Sequence, residues 1–163
     1  MTRLALYIVA WLLLAVAAVW VAARLGAFSG HPPDNLGLRD GKLNPPSMTP
    51  NSVSSQAALW PEHPQRDYAA IAPLPLQGDA PATIARLAAL IEAMDGARIV
   101  LRRPDYLYAQ FTTKLMRFVD DTEFWVDPAA GMVQVRSASR VGRGDLGVNR
   151  ARIEALRAAL AAG

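Results

Sequence analysis

Hydrophobic positions along this chain follow three different patterns. From Leu4 to Ala23 they form an uncharged run, LALYIVAWLLLAVAAVWVAA, 20 residues long. Coiled at 1.5 Å per residue, that run predicts a transmembrane helix of about 30 Å, the thickness of a bilayer's hydrocarbon. Tyr7 and Trp20 stand near its two ends, where amphipathic rings favour the interface. The second pattern is helical. Ile84, Leu87, Ile91 and Met94 share one face between Pro81 and Asp95, with Asp79 ahead, Pro81 in the first turn and Gly96 as terminator. Ile153, Leu156 and Leu160 repeat that spacing near the C-terminus, after a turn punctuated by Gly142, Gly144 and Gly147, with Asp145 as the expected N-cap. The third pattern has period two and marks strands at 98–103, 106–113, 118–127 and 132–141. The fold class that follows is α+β: an N-terminal transmembrane helix, then a four-stranded antiparallel sheet with two helices packed on one face and the other face partly open.

The hairpin at 118–141 carries its own register. Pro128 early in the turn and Gly131 at its end suit a four-residue loop, so Asp127 faces Met132. Counting back sets Val126 against Val133, Phe124 against Val135 and Glu123 against Arg136, with Asp121 between Arg136 and Arg140. One face is apolar and the other carries opposed charges, which fix register more than they add stability. Asn149 falls on the apolar stripe of the last helix, where an unpartnered amide costs about 1–3 kcal/mol. It is expected to hydrogen-bond the glycine-rich turn or a sheet edge.

Between these elements the chain divides into a transmembrane anchor at 1–26, a Gly-, Pro- and Asn-rich linker at 27–50 and a single α+β domain at 51–163. The segment from Trp60 to Pro75 is proline-rich and reads as an extended wrap anchored in the core by Trp60 and Tyr68. The net charge of +3 includes Arg3 and Arg24 beside the apolar run, so the remainder is near neutral and nucleic acid is not an expected partner. There is no cysteine, which removes disulfides, thiolate nucleophiles and cysteine metal sites. A run of 20 exceeds a signal peptide's usual apolar stretch, so an uncleaved anchor is preferred over a cleaved leader. The expected address is the bacterial cytoplasmic (inner) membrane, crossed once through Leu4 to Ala23, with the domain on the extracytoplasmic side. The positive-inside rule, with Arg3 against Arg24, Arg39 and Lys42, leans weakly the other way.

Three stretches, PNSVSSQA at 50–57, FVDDTEF at 118–124 and VRSASRVGRGDLGVNRARIEALR at 135–157, together closely resemble the family called domain of unknown function 1499. The resemblance covers 44–162. It implies a small α+β domain, often behind a bacterial N-terminal membrane segment or signal, with no established activity. It also implies a pair of cysteines at positions where this chain has Pro46 and Ser52, so any role of that pair is absent here.

Candidate chemistry centres on this block. Asp120, Asp121 and Glu123 are hard-cation ligand types, yet alternation separates Asp120 from the other two. Arg136 and Arg140 are placed to neutralise Asp121 and Glu123, so a structural ion-pair network of Asp120, Asp121, Glu123, Arg136 and Arg140 is preferred to a metal site, and no metal or cofactor is expected. Ser137 and Ser139 have no histidine near them in the block, since the two histidines are His31 and His63, so no catalytic residue is assigned. The candidate ligand-binding set is Arg136, Ser137, Ser139, Arg140, Asp145, Asn149 and Arg150. With Arg143, its guanidiniums beside a helix N-terminus suit a small anion, a lipid headgroup or an envelope protein partner. The function expected is a non-catalytic binding or scaffolding module at the membrane. The alternative is a hydrolase or other enzyme using Asp120 and Asp121 with the nearby serines, which a cavity beside both Asp120 and Ser139 would favour.

Overall fold

A computed structural model describes residues 2–162. Helix α1 (Arg3–Arg24) is long and apolar enough to cross a membrane. After it come strand β1 (Ser52–Ser54), a 3-10 turn (Ala57–Leu59), the short helix α2 (Arg66–Ala69) and strand β2 (Leu74–Pro75). Helix α3 (Ala80–Glu92) leads into strands β3 (Ala97–Arg102), β4 (Tyr106–Thr112), β5 (Val119–Asp127) and β6 (Met132–Ser139), and helix α4 (Val148–Ala161) closes the chain.

The sheet has six strands rather than the four expected from alternation. Its antiparallel order is β1-β6-β5-β4-β3, and β2 pairs with the same edge of the sheet through β6. The β3–β6 meander takes the expected form; the two added strands are three and two residues long, too short for a period to show. They close the β6 edge that a four-stranded sheet would leave unpaired. The β5–β6 register is the one read from the turn: Asp127 opposite Met132, Phe124 opposite Val135 and Glu123 opposite Arg136. Gly131 takes φ 62° and donates to Asp127 O at 2.9 Å, while the Asp127 carboxylate accepts from Ala129 and Ala130 N–H, so the whole turn is internally satisfied.

Opposed residues share a face. Leu107, Ala109 and Phe111 of β4, Phe124 and Val126 of β5, and Val133 and Val135 of β6 therefore meet Ile84, Leu87 and Ile91 of α3 and Ile153, Leu156 and Leu160 of α4 in one core. Asp79 caps α3 through Ala82 N–H at 2.8 Å. Gly96 ends the turn after it with φ 72°, and a Cβ there would lie 2.2 Å from the Thr112 carbonyl oxygen, so only glycine fits. The expected N-cap of α4 shifts: the cap residue is Gly147, φ 79°, and Asp145 caps from two residues earlier, accepting from Gly147 and Asn149 N–H at 3.0 Å each.

Two further expectations change. The opposite face of the sheet is not open, because the 27–50 segment read as a linker lies across it. Leu43 is fully buried with Tyr106 and Tyr108, and Gly37 N–H reaches Glu123. Polar spacing concealed this, since the segment binds through backbone groups and two widely spaced leucines, Leu36 and Leu43, rather than through a periodic stripe. Tyr68 is not a core anchor; it is over a third exposed and its hydroxyl donates to Asp145 at 2.8 Å.

Candidate functional site

The sheet divides the polar block in two. On the helix side lie Asp120 and Thr122 of β5 with their partners Ser139 and Ser137 of β6. Asn149, fully buried at the start of α4, ties them together. Its Oδ1 accepts from Ser137 Oγ at 2.5 Å and from Arg152 at 2.8 Å, and its Nδ2 donates to Asn51 O, Ser139 Oγ and Asp145. The buried amide is thus matched to the sheet edge and to the turn's aspartate, which removes the cost of placing it on an apolar stripe.

Arg152 completes this cluster. Its guanidinium binds Asp120 Oδ2 at 2.6 Å, with both side chains nearly out of solvent, and lies 4.3 Å from the centre of the Phe111 ring. Arg152 is not among the candidate residues, yet its position carries a signal: it is one helical turn beyond Asn149, beside Ile153 on the buried stripe. Asp120 is therefore neutralised by Arg152 rather than by Arg136 or Arg140.

On the other side lie Tyr106, Tyr108 and Gln110 of β4, Asp121 and Glu123 of β5, and Arg136 of β6. Arg140, just past β6, holds Asp121 with two parallel bonds of 2.8 Å, and Tyr108 donates to the same carboxylate at 2.6 Å. Hydrogen bonding to Asp121 raises the Arg140 pKa. Glu123 and Arg136 are register partners but form no ion pair among the described residues, a correction to the expected network. Arg136 Nε instead donates to Pro45 O at 3.0 Å. Glu123 accepts from Gly37 N–H and Tyr106 OH on Oε1, while Oε2 is buried without a partner. Burial raises the Glu123 pKa against the pull of those donors and of Arg136, and burial lowers that of Arg136.

The candidate ligand set is accordingly dispersed. Ser137, Ser139, Asp145 and Asn149 meet on the helix side, and Arg136 and Arg140 lie behind the sheet. Arg150 clasps the Ala70 and Tyr68 carbonyls, fixing α2 to α4. Asp120 and Asp121 point to opposite faces, so they do not form one acidic pair. Two serines of the upstream stretch bond locally, Ser52 Oγ accepting from Ser47 N–H and Ser54 Oγ from Gln56 N–H, while Ser55 Oγ accepts from Val135 N–H of β6 across the sheet edge. Ser52 stands where the resemblance places a cysteine, and its bond to Ser47 leaves a hydrogen bond beside Pro46 in place of a crosslink.

Two concavities border the helix-side cluster, one of about 490 Å³ beside Phe111, Val148 and Arg152, and a second that reaches its carboxylate and hydroxyl groups. The second, a cavity of about 240 Å³, is lined by Asp120, Ser139 and Asp145, with Phe118, Val141, Leu146 and Val148 as its apolar wall. No lysine or arginine lines it. Asp145 is buried enough to raise its pKa, but bonds from Tyr68, Asn149 and Gly147 outweigh burial and hold it below the usual value, so it is ionised. Its oxygens are spent on those donors. Asp120 uses only Oδ2 for Arg152, and Ser139 Oγ accepts from Asn149, leaving a carboxylate oxygen and a hydroxyl proton for the cavity.

The fold and site define a small α+β domain carried behind an apolar helix, with a polar framework on both faces of one antiparallel sheet. The chain belongs to the DUF1499 family, described as a protein of unknown function, whose model matches residues 42–160. No curated protein and no solved structure matches it.

Proposed function

We propose that the chain is a single-pass, membrane-anchored binding module, and that its ligand is a small molecule with an apolar body and a hydrogen-bond-donating head, an ammonium or a hydroxyl. The observation that carries this reading is the cavity beside Asp120 and Ser139. Its polar part offers a carboxylate oxygen and one hydroxyl, and its wall is aliphatic and aromatic, the mix that small-molecule sites use to combine burial with orientation. An anion is disfavoured there, because two carboxylates and no cation line the space, while Arg136, Arg140, Arg150 and Arg152 are committed to carbonyls and carboxylates of the protein itself.

The same cavity favours a second reading, an esterase-like hydrolase using Ser139. Binding is preferred because a nucleophilic serine needs a base within hydrogen-bond reach, and the group bonded to Ser139 Oγ is the Asn149 amide, which takes no proton. Asp120 bonds Arg152 and makes no hydrogen bond to Ser139 among the described residues.

Saturation-transfer NMR on the full chain in lipid nanodiscs, with benzylamine, benzyl alcohol and benzoate as probes, tests the proposal. Transfer to benzylamine and benzyl alcohol that exceeds benzoate, and that falls at least fivefold in Val148→Trp at the cavity mouth, is the expected result. Equal transfer to all three, or none, rejects it. Turnover of p-nitrophenyl butyrate that disappears in Ser139→Ala would instead establish the hydrolase.

A further inference from the structure

The β4–β5 connection is an unusual hairpin tip. Turn positions ordinarily carry Gly, Asn, Asp or Ser, yet here residues 114–117 read Lys-Leu-Met-Arg. Arg117 adopts φ 60°, a left-handed conformation that glycine or asparagine would take more readily. The tip is nevertheless well built. Thr113 N–H donates to Phe118 O at 2.9 Å, Phe118 N–H to the Thr113 hydroxyl at 3.0 Å and Arg117 N–H to Thr113 O at 3.2 Å. It presents Leu115, two-thirds exposed, flanked by two cations.

The tip lies against α1. Leu115 and Met116 line one hollow together with Ala15, Val16, Val19 and Trp20. At 1.5 Å per residue, Trp20 is about 6 Å and Ala15 about 14 Å along the helix from Arg24. Nothing long enough to swing separates helix from domain. Ala27 N–H closes onto Ala22 O, Phe28 packs on Phe118 with ring centres 5.9 Å apart, and Gly30 sits where a Cβ would meet Arg140 at 2.8 Å.

We infer that the 114–117 tip is a second membrane contact: Leu115 and Met116 enter the hydrocarbon of the bilayer that α1 spans, and Lys114 and Arg117 reach the headgroup layer. This rests on the reading of α1 as a membrane span, since a loop docked beside Ala15 to Trp20 lies at their depth. The occupant is lipid rather than a second copy of the chain because the two apolar residues are bracketed by long cationic side chains, which keep their charge at an interface while their stems stay apolar. Lys114 already meets Asp95 at 2.5 Å with both groups well exposed, so its ammonium is held at the rim of the tip. Phe118 and Thr113 also line the cavity beside Asp120, which places the proposed ligand site next to the lipid surface.

The chain has no cysteine, so single-cysteine variants are read without background. Leu12→Cys reports α1, Leu115→Cys the tip, and Ala130→Cys the turn at the other end of β5. Each full-length variant carries a nitrobenzoxadiazole label in phosphatidylcholine and phosphatidylglycerol nanodiscs, whose two faces are both open to dithionite. The expected result is reduction at Leu12→Cys and Leu115→Cys at least tenfold slower than at Ala130→Cys, with both quenched by doxyl-labelled acyl chains. Protection of Leu12→Cys with free reduction of Leu115→Cys overturns the inference and leaves the anchor standing. Free reduction of both overturns the inference and the membrane reading together. Protection of Leu115→Cys without doxyl quenching, and with disulfide-linked dimers of the unlabelled variant, assigns the tip to a copy–copy contact instead.

Discussion

A few residues hold the domain by having no substitute. Gly96 is the clearest, because both its positive φ and the Thr112 carbonyl exclude a side chain. Gly96→Ala is expected to cost about 2–5 kcal/mol in denaturant unfolding, where an ordinary surface substitution costs under about 0.5. Glu123 shows a different dependence. Its folded pKa is raised, so its contribution to stability is present below the ordinary value of 4.5 and is lost as pH climbs through the raised value. Glu123→Gln is neutral at every pH and keeps the oxygen that accepts from Gly37 and Tyr106. Its unfolding midpoint should therefore gain on the parent's between pH 5 and pH 8, and a constant gap would contradict that account. Asn149 was legible from sequence because a polar group on an apolar stripe demands partners. Arg152 stands one turn further on the same stripe, and the same logic extends to it.

At the scale of elements, periodicity reached as far as period exists. The three long helices and the β3–β6 meander were readable, as was the β5–β6 register, since the Pro128–Gly131 turn fixes which residues oppose. Strands β1 and β2 were not, because their pairing is decided by the edge of β6 and not by their own pattern. Helix α4 has Gly147 as its N-cap residue and takes its capping bonds from Asp145, whose carboxylate also receives Tyr68 and Asn149 Nδ2. Asp145→Ala should cost about 1–2 kcal/mol and speed amide exchange in the first turn of α4. Because the Asp145 pKa is lowered, the stabilisation is present at neutral pH and disappears as pH falls through its folded value. Exchange in that turn that is unchanged in the variant would show that the helix is held by packing alone.

For the whole molecule, alternation gave the two faces of the sheet but not what covers the second one. A strand pattern states which side a residue points to; it does not say that the 27–50 segment returns across that side, because Gly37 and Pro45 act there through backbone atoms. The consequence for the candidate site is large. Residues adjacent in sequence fall into two clusters, one of Asp121, Arg140, Tyr108, Glu123 and Arg136, and one of Asp120, Arg152, Asn149 and Ser139. Tyr108 of the first lines a hollow of about 390 Å³ with Tyr106 and Arg103, but none of that cluster's carboxylates or guanidiniums lines it, whereas Asp120 and Ser139 of the second lie directly on their cavity. Double-mutant cycles in denaturant unfolding of the full chain test that partition most directly. Asp120→Asn with Arg152→Gln should depart from additivity by more than about 1 kcal/mol, as should Asp121→Asn with Arg140→Gln, whereas Arg152→Gln with Arg140→Gln across the sheet should add to within about 0.5 kcal/mol. Strong coupling between the two arginines, or none between Asp120 and Arg152, would show one shared network and contradict the account.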